Sequence, residues 1–108
     1  MFAQAFLAQS LDFGSEVVST PVGDVVVKAL SAQEKDAFDV AHSKAKGEHF
    51  RARLVVATAH ELNGAKAFTD ANIPTLSAMP IYYLEPMVDA AIRVNKISDV
   101  DAENLRKN

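Results

Sequence analysis

Residues 51–76, RARLVVATAHELNGAKAFTDANIPTL, admit two readings, and the choice between them sets the fold. Leu54, Val55, Thr58, Ala59 and Leu62 recur at the spacing of one helix face. Phe50, Ala52, Leu54 and Val56 also alternate with Arg51, Arg53, Val55 and Ala57, as they would on a strand. Length decides for the helix, because the thirteen positions from Phe50 to Leu62 pass without a turn signal and exceed a usual strand. Gly64 after Asn63 supplies the left-handed residue that ends such a helix. Thr69 and Asp70 then offer side-chain oxygens to the first amides of a following helix. No catalytic motif lies in this stretch.

Upstream, the pattern has a different period. Glu16-Val17-Val18-Ser19-Thr20 and Asp24-Val25-Val26-Val27-Lys28-Ala29-Leu30 are β-branched runs on either side of Pro21-Val22-Gly23. Proline sets φ for the first loop position and glycine takes a left-handed one, which predicts a three-residue hairpin loop with a glycine bulge. A lone hairpin is marginal in water, so one of its faces must rest on helices. Ser31-Ala32-Gln33-Glu34 is a capping box. The helix it opens carries Ala37, Phe38, Ala41 and Ala45 inward and Lys35, Asp36, Asp39 and Lys44 outward, and Gly47 closes it. Before the hairpin, Asp12-Phe13-Gly14 reads as a turn. Residues 1–9, MFAQAFLAQ, form a short helix or a loose arm with Phe2, Phe6 and Leu7 on its apolar side. This arm either pads the domain's own core, which a small domain favours, or docks on a neighbouring subunit.

Downstream, Ile73, Pro74 and Leu76 fit one or two helical turns, and Ser77-Ala78-Met79-Pro80 launches the most apolar helix of the chain. Its core stripe is Ile81, Leu84, Val88, Ala91 and Ile92, widened by Tyr82, Met87 and Val94. Pro86 falls inside it and predicts a kink or a restart. Asn95-Lys96 ends the helix, and Ser98-Asp99-Val100-Asp101 opens a last one of about two turns. The fold class is therefore α+β and mainly helical: a single domain over residues 1–108, with an arm at 1–12, a hairpin at 15–30, and a helical part at 31–108 of four to five short helices on which the hairpin packs.

Composition narrows the function classes. Among 108 residues, 49% are apolar and 23% charged, as in ordinary globular proteins. With no cysteine, neither a disulfide framework nor a thiolate metal site can form. The net charge of −3 opposes phosphate binding, which needs a basic face, and so opposes a small DNA-binding regulator. No apolar run approaches the roughly 20 residues of a membrane span, and residues 1–9 lack the basic start of a secretory signal. His42, His49 and His60 do not follow the HExxH pattern, and Asp99, Asp101 and Glu103 lack the spacing and glycine of a calcium loop. The glycines stand singly, so no phosphate cradle is spelled out, and no GxSxG elbow is present. No catalytic, cofactor-binding or metal-ligating set emerges, and the expectation is a non-enzymatic interaction domain. Ile81, Tyr82, Tyr83, Leu84 and Met87 make the helix after Pro80 apolar almost all the way round, so they either close the domain's own core or meet a partner. With Phe2, Phe6 and Leu7 they are the candidate partner-binding residues.

The order of these parts resembles the tail assembly chaperones of long-tailed, siphovirus-type bacteriophages. The likeness runs from about Val17 to the end. It comprises the valine-rich hairpin, Leu30-Ser31-Ala32-Gln33-Glu34, the Leu62-Asn63-Gly64 turn leading to Phe68-Thr69-Asp70, the apolar helix, Asn95-Lys96-Ile97-Ser98-Asp99-Val100-Asp101, and Lys107-Asn108. The resemblance implies a holdase with no enzymatic activity and no cofactor. Such a protein coats the tape-measure protein, helps recruit tail-tube subunits, and self-associates into a ring or spiral. It implies work in the host cytoplasm and absence from the mature virion, while the acidic balance and the lack of a spanning run lead to the expectation of no nucleic-acid and no membrane partner. It further implies that this chain is the short form of a pair whose longer member arises by frameshifting near Lys107-Asn108. The alternative expectation is a small structural virion protein, a tail-completion or neck component.

Overall fold

The computed structural model describes residues 1–8 and 14–97. The turn expected at Asp12-Phe13 and the last helix expected from Ser98 lie outside the described residues. Helix α1 (Phe2–Leu7) precedes strands β1 (Ser15–Thr20) and β2 (Gly23–Lys28). These pair antiparallel with Val18 opposite Val25 and Thr20 opposite Gly23, so the loop is the two residues Pro21-Val22, one shorter than the expected bulged loop. Thr20 accounts for the difference: its Oγ1 donates to Gly23 O at 2.6 Å and accepts from Val22 N at 3.2 Å. That cross-link draws the rung in by one residue, and Gly23 meets it at φ 135°, which a side chain would resist. Val18 and Val27 turn to the core, with 7% and 0% of their surface exposed.

Helix α2 (Ala32–Lys44) starts on the expected box, Glu34 N donating to Ser31 Oγ at 3.1 Å and Ser31 N to Glu34 Oε1 at 2.8 Å. Of its inward set only Phe38 is buried; Ala41 and Ala45 are half-buried and Ala37 is exposed. Lys46, Gly47 and His49 follow, all at positive φ, and carry the chain into α3 (Phe50–Thr58).

Helix α3 is the centre of the molecule. Phe50, Ala52, Leu54, Val55, Val56 and Thr58 are all buried, with α2, α4 (Ile73–Ser77) and α5 (Ile81–Val94) packed around it. Burial on several sides explains why its sequence fits both periods, since a helix without a solvent face has no single stripe. Its end corrects the sequence reading. The helix stops at Thr58, and Ala59–His60 becomes β3, pairing antiparallel with Val27 and Val26. Leu62, expected on the inward face, is 66% exposed. Asn63-Gly64 is not a helix end but the tip of a tight turn, with His60 bridged to Lys66 and Glu61 N donating to Ala65 O at 2.8 Å.

The early stop follows from carbonyl accounting. A helix end leaves its last carbonyls without intrahelical partners. Here Leu54 O accepts from Thr58 Oγ1 at 2.7 Å and Val55 O from Ala59 N. Val56 O and Ala57 O accept from Lys66 Nζ at 2.9 and 3.0 Å, and Thr58 O from His60 Nδ1 at 2.9 Å. Every carbonyl of the last turn is thereby satisfied.

A single 3-10 turn (Asp70–Asn72) begins where Thr69 was expected to cap, with Asn72 Oδ1 accepting from Thr69 N at 2.8 Å, and runs into α4, whose Ile73 and Leu76 are buried. Helix α5 runs through Pro86 without a restart. Proline's missing N–H would have bonded the carbonyl of Tyr82, which lies in the exposed first turn where water can replace the bond. Asn95 ends α5 as expected: its Nδ2 donates to Ala91 O and its Oδ1 accepts from Leu30 N, both at 2.8 Å, tying the helix end to the strand exit. The sheet order is β1-β2-β3, and α5 covers the inner face of β1 and β2.

Candidate interaction surface

The eight candidate residues separate into three groups. Phe2, Phe6 and Leu7 on α1 are 81%, 63% and 80% exposed, and no residue of that helix is buried. The reading in which the arm pads the core is therefore corrected. Phe2 and Phe6 sit one turn apart and stack on each other with centroids 5.5 Å apart, which presents one apolar face to solvent. Leu84 and Met87 belong to the opposite group. They are 4% and 5% exposed, inside the chain's own core, and have no surface to offer a partner. Ile81 and Tyr82 form the third group, 53% and 63% exposed, with Tyr83 half-buried behind them and the two tyrosine rings 5.0 Å apart. Ile81 was expected in the core stripe. It occupies the first turn of α5, at the rim of a groove of about 290 Å³ that also touches Phe50, Ala52 and Met79. Beside that groove Arg51 Nε donates to Glu85 Oε1 at 2.8 Å and fixes α3 against α5.

A second groove, of about 470 Å³, was not legible in the sequence. Leu30, Phe38, Ala41, Val56 and Phe68 make its floor, and Glu34, Arg53, Lys66 and Asp70 stand at its edges. Its walls come from α2, α3 and the segment after β3, so no local pattern announces it. Glu34 there is held below its ordinary carboxyl pKa, first by the backbone amide of Ser31, against a smaller opposing effect of burial.

The histidines stand in separate settings. His42 stacks on Phe38 at 5.8 Å and meets Phe50 edge-on at 5.5 Å, with its buried Nδ1 unpartnered. His49 is the residue before α3, and His60 is engaged with Thr58 O. Among the described residues no group of three or more His, Asp or Glu is placed to hold a metal ion, and no helix is long and apolar enough to cross a membrane. Comparison of the chain with protein-family models, curated proteins and solved structures gives no match.

Proposed function

We propose that this protein is a non-enzymatic assembly chaperone of the kind that long-tailed bacteriophages apply to their tape-measure protein. It acts as an oligomer in the host cytoplasm and is left out of the finished virion. The observation that carries the reading is the exposed apolar face of α1, where Phe2, Phe6 and Leu7 are displayed to solvent. A long amphipathic client helix is held by shallow apolar contacts repeated along its length. Many such faces on one oligomer multiply weak contacts into avidity. The order of sequence motifs adds the identity of the client, the tape-measure protein, and of the recruited subunit, the tail-tube protein.

The test is capture of a purified tape-measure fragment by the wild-type chain and by the triple variant Phe2→Ala, Phe6→Ala, Leu7→Ala. Each large side chain transferred from water to a client contributes on the order of 1.5 kcal/mol or more, so the triple variant loses about a thousandfold in affinity where all three engage, and about tenfold where only one does. Its melting temperature stays unchanged, because none of the three is buried. No capture by the wild type, or the chain found in purified particles by mass spectrometry, refutes the reading; the second result identifies a structural virion component instead.

A further inference from the structure

We propose that the outer edge of β1 is the surface on which two copies of this chain associate, β1 pairing antiparallel with β1 about a two-fold axis through Val17. This deepens the proposed function and rests on it for the need to self-associate; the site itself is read from the strand. Ala29 N donates to Gly14 O at 2.8 Å, which makes Gly14 and Ala29 a hydrogen-bonded rung. Alternation along the ladder then gives Glu16–Val27, Val18–Val25 and Thr20–Gly23 the same character. Ser15, Val17 and Ser19 consequently aim their N–H and C=O groups away from β2, into the open edge. Among the described residues no strand pairs there.

The two edges of the sheet are treated differently. β3 is only two residues long, and the Lys66 segment bridges its outer side at His60. That is a guarded edge. β1 runs six residues in unbroken register, without a bulge, a lysine or an internal proline. Those are three of the devices by which soluble proteins discourage edge pairing; a fourth, an inward-pointing charge, is present as Glu16 opposite Val27 but is neutralised by Arg93.

The strand is also complementary to itself. With Val17 opposite Val17 of a second copy, Ser15 meets Ser19 and Glu16 meets Val18. No like charges face each other across the seam. Glu16, the strand's one charge, is matched within its own copy by Arg93 Nη2 at 2.9 Å, so the seam carries two balanced ion pairs. Val17, 63% exposed in the single chain, gains its counterpart as cover. The pairing closes on itself, as a two-fold interface must.

Cysteine scanning tests the register, since the chain has no cysteine of its own. In the proposed pairing the two Val17 Cα atoms stand about 5.5 Å apart, within disulfide reach. Val17→Cys therefore forms a disulfide dimer under mild oxidation. Ser15→Cys alone does not, its two copies lying about 13 Å apart along the strands, but it cross-links to Ser19→Cys in a mixture. Val17→Pro removes an N–H that points away from β2, so the hairpin keeps its bonds while association weakens by about tenfold or more. Val17→Lys, which opposes two ammonium groups, does the same if the proline variant loses its far-UV circular dichroism. Cross-linking of Val17→Cys no faster than of Ser15→Cys, in a wild type that still self-associates, overturns the edge pairing and leaves the chaperone reading standing. A wild type that light scattering finds monomeric at every concentration overturns both.

Discussion

Replacing Lys66 by methionine removes the ammonium group that closes α3 while keeping the length of the apolar stem. The side chain donates to Val56 O at 2.9 Å and Ala57 O at 3.0 Å, two carbonyls that the helix itself cannot satisfy. A hydrogen bond from a charged donor contributes about 1.5–3 kcal/mol when shielded, but Lys66 is exposed and water competes for the same carbonyls. About 0.5 kcal/mol per bond, plus the favourable field of a cation at a helix C-terminus, gives about 1–2 kcal/mol in total. For a domain of this size each kcal/mol corresponds to roughly 4–8 °C in melting temperature. Urea unfolding should show a lower midpoint with an unchanged slope. The loss should be local as well: the amides of Ala59 and His60 should exchange faster, because the end of α3 and the start of β3 share these bonds. Lys66→Arg should recover most of the loss. A Lys66→Met variant within about 0.3 kcal/mol of wild type, with unchanged exchange in β3, would refute the account of why the helix stops at Thr58.

Other perturbations probe the remaining joints. Asn95→Ala strips two 2.8 Å bonds, one accepted from Leu30 N beyond β2 and one donated to Ala91 O at the end of α5, and should cost about 1–3 kcal/mol in chemical denaturation; a neutral result would mean that water replaces both. His42→Leu removes a buried nitrogen with no partner from between Phe38 and Phe50 and should raise stability by about 1 kcal/mol, whereas a loss would show that the imidazole is satisfied in solution. Glu34 has a folded pKa below its ordinary value of 4.5, so its contribution is fully present above that value and fades as pH falls through the folded value. The stability difference between wild type and Glu34→Gln should accordingly shrink in acid below pH 4.5, and a gap constant down to pH 2 would contradict the assignment. Ser31→Ala breaks the same capping box and should cost about 1 kcal/mol at neutral pH, read from thermal unfolding.

What was legible in advance depended on the range of the chemistry. The Ser31–Glu34 box, the valine strands and the Asn95 stop are settled within a few residues of where they act, and the structure has them in place. The failures are equally specific. Of the candidate surface residues, Ile81 and Leu84 are both apolar and stand three positions apart on α5, yet one lines a rim and the other the core. Only the position of α3 separates them. The larger groove escaped notice because Leu30, Phe38, Val56 and Phe68 share no local pattern.

By itself the sequence determined that the chain is a hairpin followed by short helices, with the most apolar of them beginning after Pro80, because propensity, capping and turn chemistry act between near neighbours. Tertiary structure alone decided that α3 surrenders Ala59 and His60 to the sheet. That exchange needs Val26 and Val27 offering an open strand edge and Lys66 arriving to cap the helix, partners that only the folded chain brings within reach. It also decided which greasy side chains remain outside, since the core fills around α3 and leaves Phe2, Phe6, Leu7 and Val17 in solvent.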